Sequence, residues 1–205
     1  LWVFFDQCSR SHEAIALFGD ELRRLENERD KDVRLLLAQI RVRQAWSFMD
    51  LGQRQKTLDI YDQNLPVIEQ YDSTDGILTV YVGKVNLFWA MGRFEEALEL
   101  SHQGYELATA SNNVRWTIFF ELMLILNYYD LEQYEDALWW EQSRPEERQE
   151  PILQGMALAK LGRLEEARPC LNQGKQEMLA YIQAQTPHYY STIINHLFLL
   201  GINMA

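Results

Sequence analysis

Proline and glycine are scarce in this sequence, at 5 and 10 of 205 residues. An all-β chain needs such residues at most of its turns, so their shortage excludes that class and suits helices joined by short connections. Cysteine is scarcer still. Cys8 and Cys170 stand far apart in no metal-ligand spacing, which excludes a disulfide framework, points to a reducing, cytoplasmic setting, and leaves both as small core residues. The most apolar run, WTIFFELMLILNYY from Trp116 to Tyr129, carries Glu121 and is too short for a bilayer. No basic segment followed by an apolar stretch marks a targeting signal, so no membrane partner is expected.

Positive charge is also short. Lys and Arg total 19 against 30 Asp and Glu, a formal charge of −11, which repels phosphate backbones and argues against direct nucleic-acid binding. Residues 121–150 are the most acidic part. What the sequence does have is 47% apolar residues with 24% charged, enough to bury a core, and a generous aromatic share with 6 Trp and 10 Tyr. The chain begins at Leu1 rather than Met, and we expect residues 1–205 to be one domain excerpted from a longer protein.

An internal repeat organises the chain. GRFEEAL places Ala97 where GRLEEAR places Ala167, EQYEDAL places Ala137, SRSHEAI places Ala14 and GQRQKTL places Thr57. The markers are separated by 43, 40, 40 and 30 residues in chain order. Each opens an amphipathic helix whose predecessor ends one turn earlier, at Leu51-Gly52, Met91-Gly92, Leu131-Glu132 or Leu161-Gly162. Glycine just past a helix takes the left-handed cap conformation without a Cβ penalty, so the unit is helix, tight turn, helix. A small marker lets the two helices approach, Phe94, Tyr134 and Leu164 fit as plugs between them, and the following acids favour a helix N-terminus.

First helices are expected near 31–51, 75–91, 113–131, 150–161 and 187–200, and second helices near 12–27, 54–71, 94–110, 134–143 and 164–184. Their core stripe is Ala38, Ala45, Phe48; Leu78, Tyr81, Val85, Phe88; Ile118, Ile125, Tyr128. Asp32, Ser73 or Thr74, and Asn112 are expected caps, and Pro187 suits an early helical position. SRPEERQEP interrupts the fourth unit, so an irregular, shortened repeat with a kinked or displaced helix pair is expected around 132–162. The Trp139-Trp140 pair cannot face one side of a helix; one ring is expected to plug the core and the other to cover this irregular unit.

The junction resembles the tetratricopeptide repeat (TPR), whose Gly, aromatic, Ala pattern is matched by Gly92, Phe94, Ala97 and by Gly162, Leu164, Ala167, with Ala45 and Gly155 at the family's first-helix contact position. It covers essentially the whole chain in about five units and implies an all-α, right-handed superhelical solenoid. The 40-residue period exceeds the family's usual 34, its late proline is missing, and Tyr61, Ser101 and Leu171 stand unevenly at its aromatic position. Longer repeats of this kind are similar to the sensor arrays C-terminal to the ATPase module of bacterial STAND-type signal-transduction and transcription regulators. DKDVRLLLA and NNVRW instead suit a HEAT-type array, which the repeated junction disfavours.

Catalytic signatures are absent. His12, His102, His188 and His196 never fall three or four apart on an expected helix, YDSTDG lacks the alternating carboxylates of a calcium loop, and neither Cys8 nor Cys170 has a histidine close in sequence. Glu95-Glu96 and Glu165-Glu166 read as solvated first-turn acids rather than an acid/base pair, because adjacent helix positions point about 100° apart. No enzyme activity, cofactor or metal is expected.

One residue beyond the core stripe, Val42, Trp46, Met49; Val82, Asn86, Trp89; and Leu122, Leu126, Tyr129 stand in equivalent places of successive first helices. In the tetratricopeptide family those places line the concave face. The resemblance therefore implies a groove of Arg43, Trp46, Met49, Asn86, Trp89, Leu122, Leu126 and Tyr129 that grips a protein or peptide segment, or another domain of the same polypeptide. Packing of a wider buried face is the competing reading. Arg43 and Asn86 match part of the family's carboxylate clamp, whose lysines are absent. HYYSTIINHLFLLGINMA reads as a first helix with no second to follow, so its Leu197, Phe198 and Leu200 are expected to be exposed or to pair with another copy of the chain.

Overall fold

The computed structural model describes residues 10–25, 27, 30–71 and 73–183, and regular structure among them is helical throughout. Cys8, His188, His196 and the expected helix at 187–200 lie outside the described residues. The helices are α1 (Ser11–Leu25), α2 (Lys31–Asp50), α3 (Arg54–Gln70), α4 (Thr74–Ala90), α5 (Phe94–Ala110), α6 (Val114–Asp130), α7 (Tyr134–Ser143), α8 (Pro151–Lys160) and α9 (Leu164–Gln183), with a 3-10 turn at Glu146–Arg148. From α3 to α6 each helix has 17 residues, and helices begin at Arg54, Thr74, Phe94, Val114 and Tyr134, one every 20 residues.

The turns explain this regularity. Residues 52, 92, 112, 132 and 162 all take positive φ, at 72°, 72°, 54°, 61° and 75°. The next amide then reaches back to the carbonyl five residues earlier: Gln53 to Phe48, Arg93 to Phe88, Asn113 to Ala108, Gln133 to Tyr128 and Arg163 to Leu158, all at 2.8–2.9 Å. That bond satisfies a carbonyl the helix end would orphan and sends the chain back antiparallel. Glycine fits at three of these positions, whereas Asn112 and Glu132 occupy a region that disfavours side chains by ~1 kcal/mol. The turn at Asn112 joins one repeat to the next, so one device serves both kinds of connection.

Two expected caps are corrected. Asp30, not Asp32, caps α2, its carboxylate accepting from the amides of Asp32 at 2.9 Å and Val33 at 3.3 Å. At the start of α6 the side chain of Asn113 accepts from Trp116 N at 3.4 Å, because Asn112 is already committed to the left-handed turn. Ser73 stands at the cap position of α4 without a side-chain bond to the helix.

The chain divides into two compact units, Leu1–Met123 and Leu124–Ala205, the division falling within α6. In the first, α1 packs on α2, α2 on α3, α3 on α4, α4 on α5, and the first helices α2 and α4 also touch. Its core holds Ala38, Val42, Ala45, Tyr61, Ile68, Val80 and Leu87. Tyr61 packs close against Gly83, where an added Cβ would come within 2.3 Å of the phenol oxygen. In the second unit, α8 packs on both α7 and α9 around Leu138, Ala157, Leu158 and Ala167.

All the marker residues are buried: Ala14, Thr57, Ala97, Ala137 and Ala167. Thr57 is accommodated because its hydroxyl donates to the Gln53 carbonyl at 3.0 Å, one turn back. The plugs are only partly as expected. Phe94 and Tyr134 are half-buried, but Leu164 is 59% exposed, so in the last junction the small Ala167 makes the close approach without a plug.

The irregular unit is built from shortened helices. Helices α7 and α8 have 10 residues each against 17 in the regular repeats, so each loses seven residues, close to two whole turns. Removing whole turns leaves the inward faces aligned, and the cut falls at the ends remote from the tight turn at Gly162. The connection between them lengthens to Arg144–Glu150 and closes the trimmed end. Gln149 Nε2 donates to the Arg144 carbonyl at 2.7 Å and the Gln142 carbonyl at 3.3 Å, covering the end of α7. Glu141 accepts from the Glu150 amide at the start of α8, and from Arg144 Nη1 at 3.0 Å. Both members of that ion pair are buried. Proline at the first position of α8 is compatible with the helix because its missing amide would have no partner there.

Candidate partner-binding face

The expected groove residues separate into two sets. On α2, Arg43 is exposed and Trp46 and Met49 are half-buried; on the adjacent α4, Asn86 and Trp89 are half-buried. These belong to the first unit and sit on helices that touch. By contrast Val42 and Val82, the innermost of the set, are core. Leu122 and Leu126 are also core, at 6% and 7% exposure, which corrects their expected place in an accessible groove. Their ridge on α6 is apolar on nearly every side, so helical spacing alone could not tell a lining residue from a buried one.

Asn86 has one amide proton committed, Nδ2 donating to the Val82 carbonyl at 2.9 Å. Tyr129, in the second unit, packs edge to face on Tyr134 with ring centroids 5.3 Å apart across the tight turn. Burial, reinforced by Tyr134 and Asp130, pushes its phenol up to about 12, so it stays a neutral hydrogen-bonding group at every physiological pH. What the face on α2 and α4 can do chemically is bind: it offers indole surface, one exposed guanidinium and the Asn86 amide.

The repeated acids have a different role. Arg93 pairs with Glu96, and Arg163 with Glu166 at 2.6 Å, each arginine standing just before the helix and its partner in the first turn. Arg10 and Glu13 repeat the arrangement at α1. Hydrogen bonding to Arg93 holds Glu96 below the usual carboxylate value, as Arg163 does for Glu166. Cations at the turns also lie over rings: Arg93 is 4.5 Å from the Phe88 centroid, and Lys56 sits 3.6 Å over Phe48 in the preceding repeat. The acids of GRFEEAL and GRLEEAR thus anchor a cation at the turn.

Among the described residues no group of three or more His, Cys, Asp and Glu side chains is placed to hold a metal ion. His12 is exposed, and burial pushes the half-buried His102 imidazole below its ordinary value. Cys170 is a half-buried free thiol. Among the same residues no helix is long and apolar enough to cross a membrane.

One residue stands apart from expectation. Neither ring of the tryptophan pair plugs the core: Trp139 is 60% exposed, Trp140 is half-buried, and Leu138 takes the core position. The rings meet edge to face, with centroids 5.2 Å apart at 87°. Two residues beyond each marker the other repeats carry Ala16, Asp59, Glu99 and Pro169, all exposed, so the repeat pattern itself singled out Trp139 as surplus to the core.

No protein-family model matches the sequence. No curated protein matches it either. Solved structures do resemble it. The crystal structure of BtubC (BKLC) from P. vanneervenii has a TM-score of 0.66 at 18% identity, covering 92% of this chain and 80% of its own. The crystal structure of a variant of a Podosopora anserina putative kinesin light chain with nearly identical TPR-like repeats has a TM-score of 0.69 at 16% identity, covering 91% and 94%. At such identities the likeness is one of fold, and the chain has the all-helical fold of a TPR-like repeat array.

Proposed function

We propose that this chain is a non-catalytic protein-interaction scaffold whose first helices hold a partner segment. The observation that carries the reading is that Trp46 and Trp89, on the neighbouring helices α2 and α4, are both left partly open to solvent beside the exposed Arg43. A ring that folding has not fully buried retains surface to bury on binding, and aromatic and arginine side chains dominate binding hot spots. Met49 and Asn86, each one helical turn from a ring, flank them on the same two helices. The partner is a peptide or helix of another protein, or of a neighbouring domain in a larger bacterial signalling or transcription regulator. The acidic surface favours a protein partner over nucleic acid.

The test uses the immobilised chain and its Trp46→Ala/Trp89→Ala double variant against a lysate of the source organism. A protein retained by the former and lost by the latter, with the variant's thermal midpoint close to wild type, is the expected result. Equal retention by both proteins contradicts the groove.

A further inference from the structure

We infer that α7 carries a second docking surface, centred on Trp139, for a partner segment that presents arginine. Two departures from the repeat meet there. The first is the ring itself: where other second helices place Ala16, Asp59, Glu99 or Pro169, α7 places an indole that is 60% exposed. Folding does not call for it, because the core positions beside it are already filled by Ala137 and Leu138.

The second departure is electrostatic and independent of the ring. At the equivalent junctions the first-turn acid is neutralised by the arginine before the helix, as Glu96 is by Arg93 and Glu166 by Arg163. Before α7 that position is Gln133, so Asp136 has no such cation, and α7 carries Glu135, Asp136 and Glu141 with no lysine or arginine. Glu141 faces inward and is matched by Arg144, while Glu135 and Asp136 are exposed. They stand four and three residues before Trp139, which puts them on the same helix face.

The surface thus pairs uncompensated negative charge with an exposed indole, and the group that answers both is a cation with a flat apolar face. A guanidinium stacks on tryptophan and pairs with carboxylate through the same atoms. A second copy of this chain, with its net charge of −11, is repelled from such a patch. The surface lies on a second helix, whereas Trp46 and Trp89 lie on first helices.

The probe is a synthetic helical peptide with two arginines one turn apart, compared with its citrulline analogue, which keeps the shape and removes the charge. We expect the arginine peptide to bind the intact chain, more weakly as salt is raised, and the citrulline peptide to bind at least about tenfold more weakly. Trp139→Ala and the Glu135→Gln/Asp136→Asn double variant should each lose at least about tenfold with an unchanged circular-dichroism melt, while Glu95→Gln, an exposed first-turn acid on α5, keeps full affinity. Absence of binding, equal binding of the two peptides, or affinity indifferent to Trp139→Ala would overturn the inference.

Discussion

The stretch from Ala97 to Ala137 and the stretch from Ala137 to Ala167 do the same structural job with 40 and 30 residues. In the longer one, α5 and α6 are joined by a tight turn, and Gly104 lies so close to Phe120 that an added Cβ would come within 2.3 Å of the ring. In the shorter one, α7 and α8 are each trimmed by two turns and the vacated end is closed by Arg144–Glu150 over the buried Glu141–Arg144 pair. The difference teaches that this repeat tolerates loss of helix in whole turns, provided the new ends find partners for their backbone groups. Apolar packing fixes the regular repeats; in the short repeat a charged pair replaces part of it.

That contrast can be broken from either side. The largest effect is expected from Ala97→Arg, which forces a long unpaired charge into a fully buried crossing. Overpacking costs ~1 to 3 kcal/mol and the buried charge adds ~3 kcal/mol or more, so the first unit should melt early by calorimetry. Next comes Glu141→Ala, which removes the acceptor of Arg144 Nη1 and of the Glu150 amide; a loss of ~3 to 5 kcal/mol is expected, confined to the second unit. The Glu141→Leu/Arg144→Met double variant should recover most of that loss, because removing both charges together removes the desolvation cost with the attraction. If the double variant is as unstable as the single, the pair is not what closes the trimmed end.

Glu132→Gly sharpens the comparison in the opposite direction. With φ of 61°, Glu132 occupies a conformation that Gly52, Gly92 and Gly162 take freely, so the substitution should stabilise by ~1 kcal/mol in chemical denaturation. The smallest effect is pH dependence at Glu150. Burial raises its carboxyl above the ordinary value, opposed by Arg144 and reinforced by Glu177. A raised folded value means stability that is fully present below the unfolded value of about 4.5 and lost as pH rises through the folded value. Wild type should therefore gain slightly in stability relative to Glu150→Gln as pH falls from about 7 towards 5 in chemical denaturation.

Much of the fold was legible because the repeat is written in residues with narrow roles. Glycine at 52, 92 and 162 marked the turns, and the buried markers Ala97, Ala137 and Ala167 marked the crossings, so expected and observed helices agree within a residue or two where the chain is described. The left-handed turn at Asn112 is hard to read from sequence because asparagine is also a common cap, and its neighbour Asn113 is the one that caps. The site was less legible. Trp46 and Trp89 are half-buried, whereas Leu122 and Leu126 are core, since on a helix as apolar as α6 periodicity does not distinguish two adjacent faces. For the Trp139-Trp140 pair the sequence leads one to expect a ring in the core without indicating which, and neither is there; comparison with Ala16, Asp59, Glu99 and Pro169 reveals that Trp139 holds an outward position.

The central functional claim is that the rings on α2 and α4 exist to be covered by a partner and not to hold the helices together. It is tested most directly by the thermal unfolding of Trp46→Ala and Trp89→Ala. Half-exposed anchors should cost ~1 kcal/mol or less each when truncated, whereas core rings cost ~3 to 5 kcal/mol. Midpoints within a few degrees of wild type for both variants are the predicted result, and a collapse of the first unit in either would make these rings core and remove the proposed binding face.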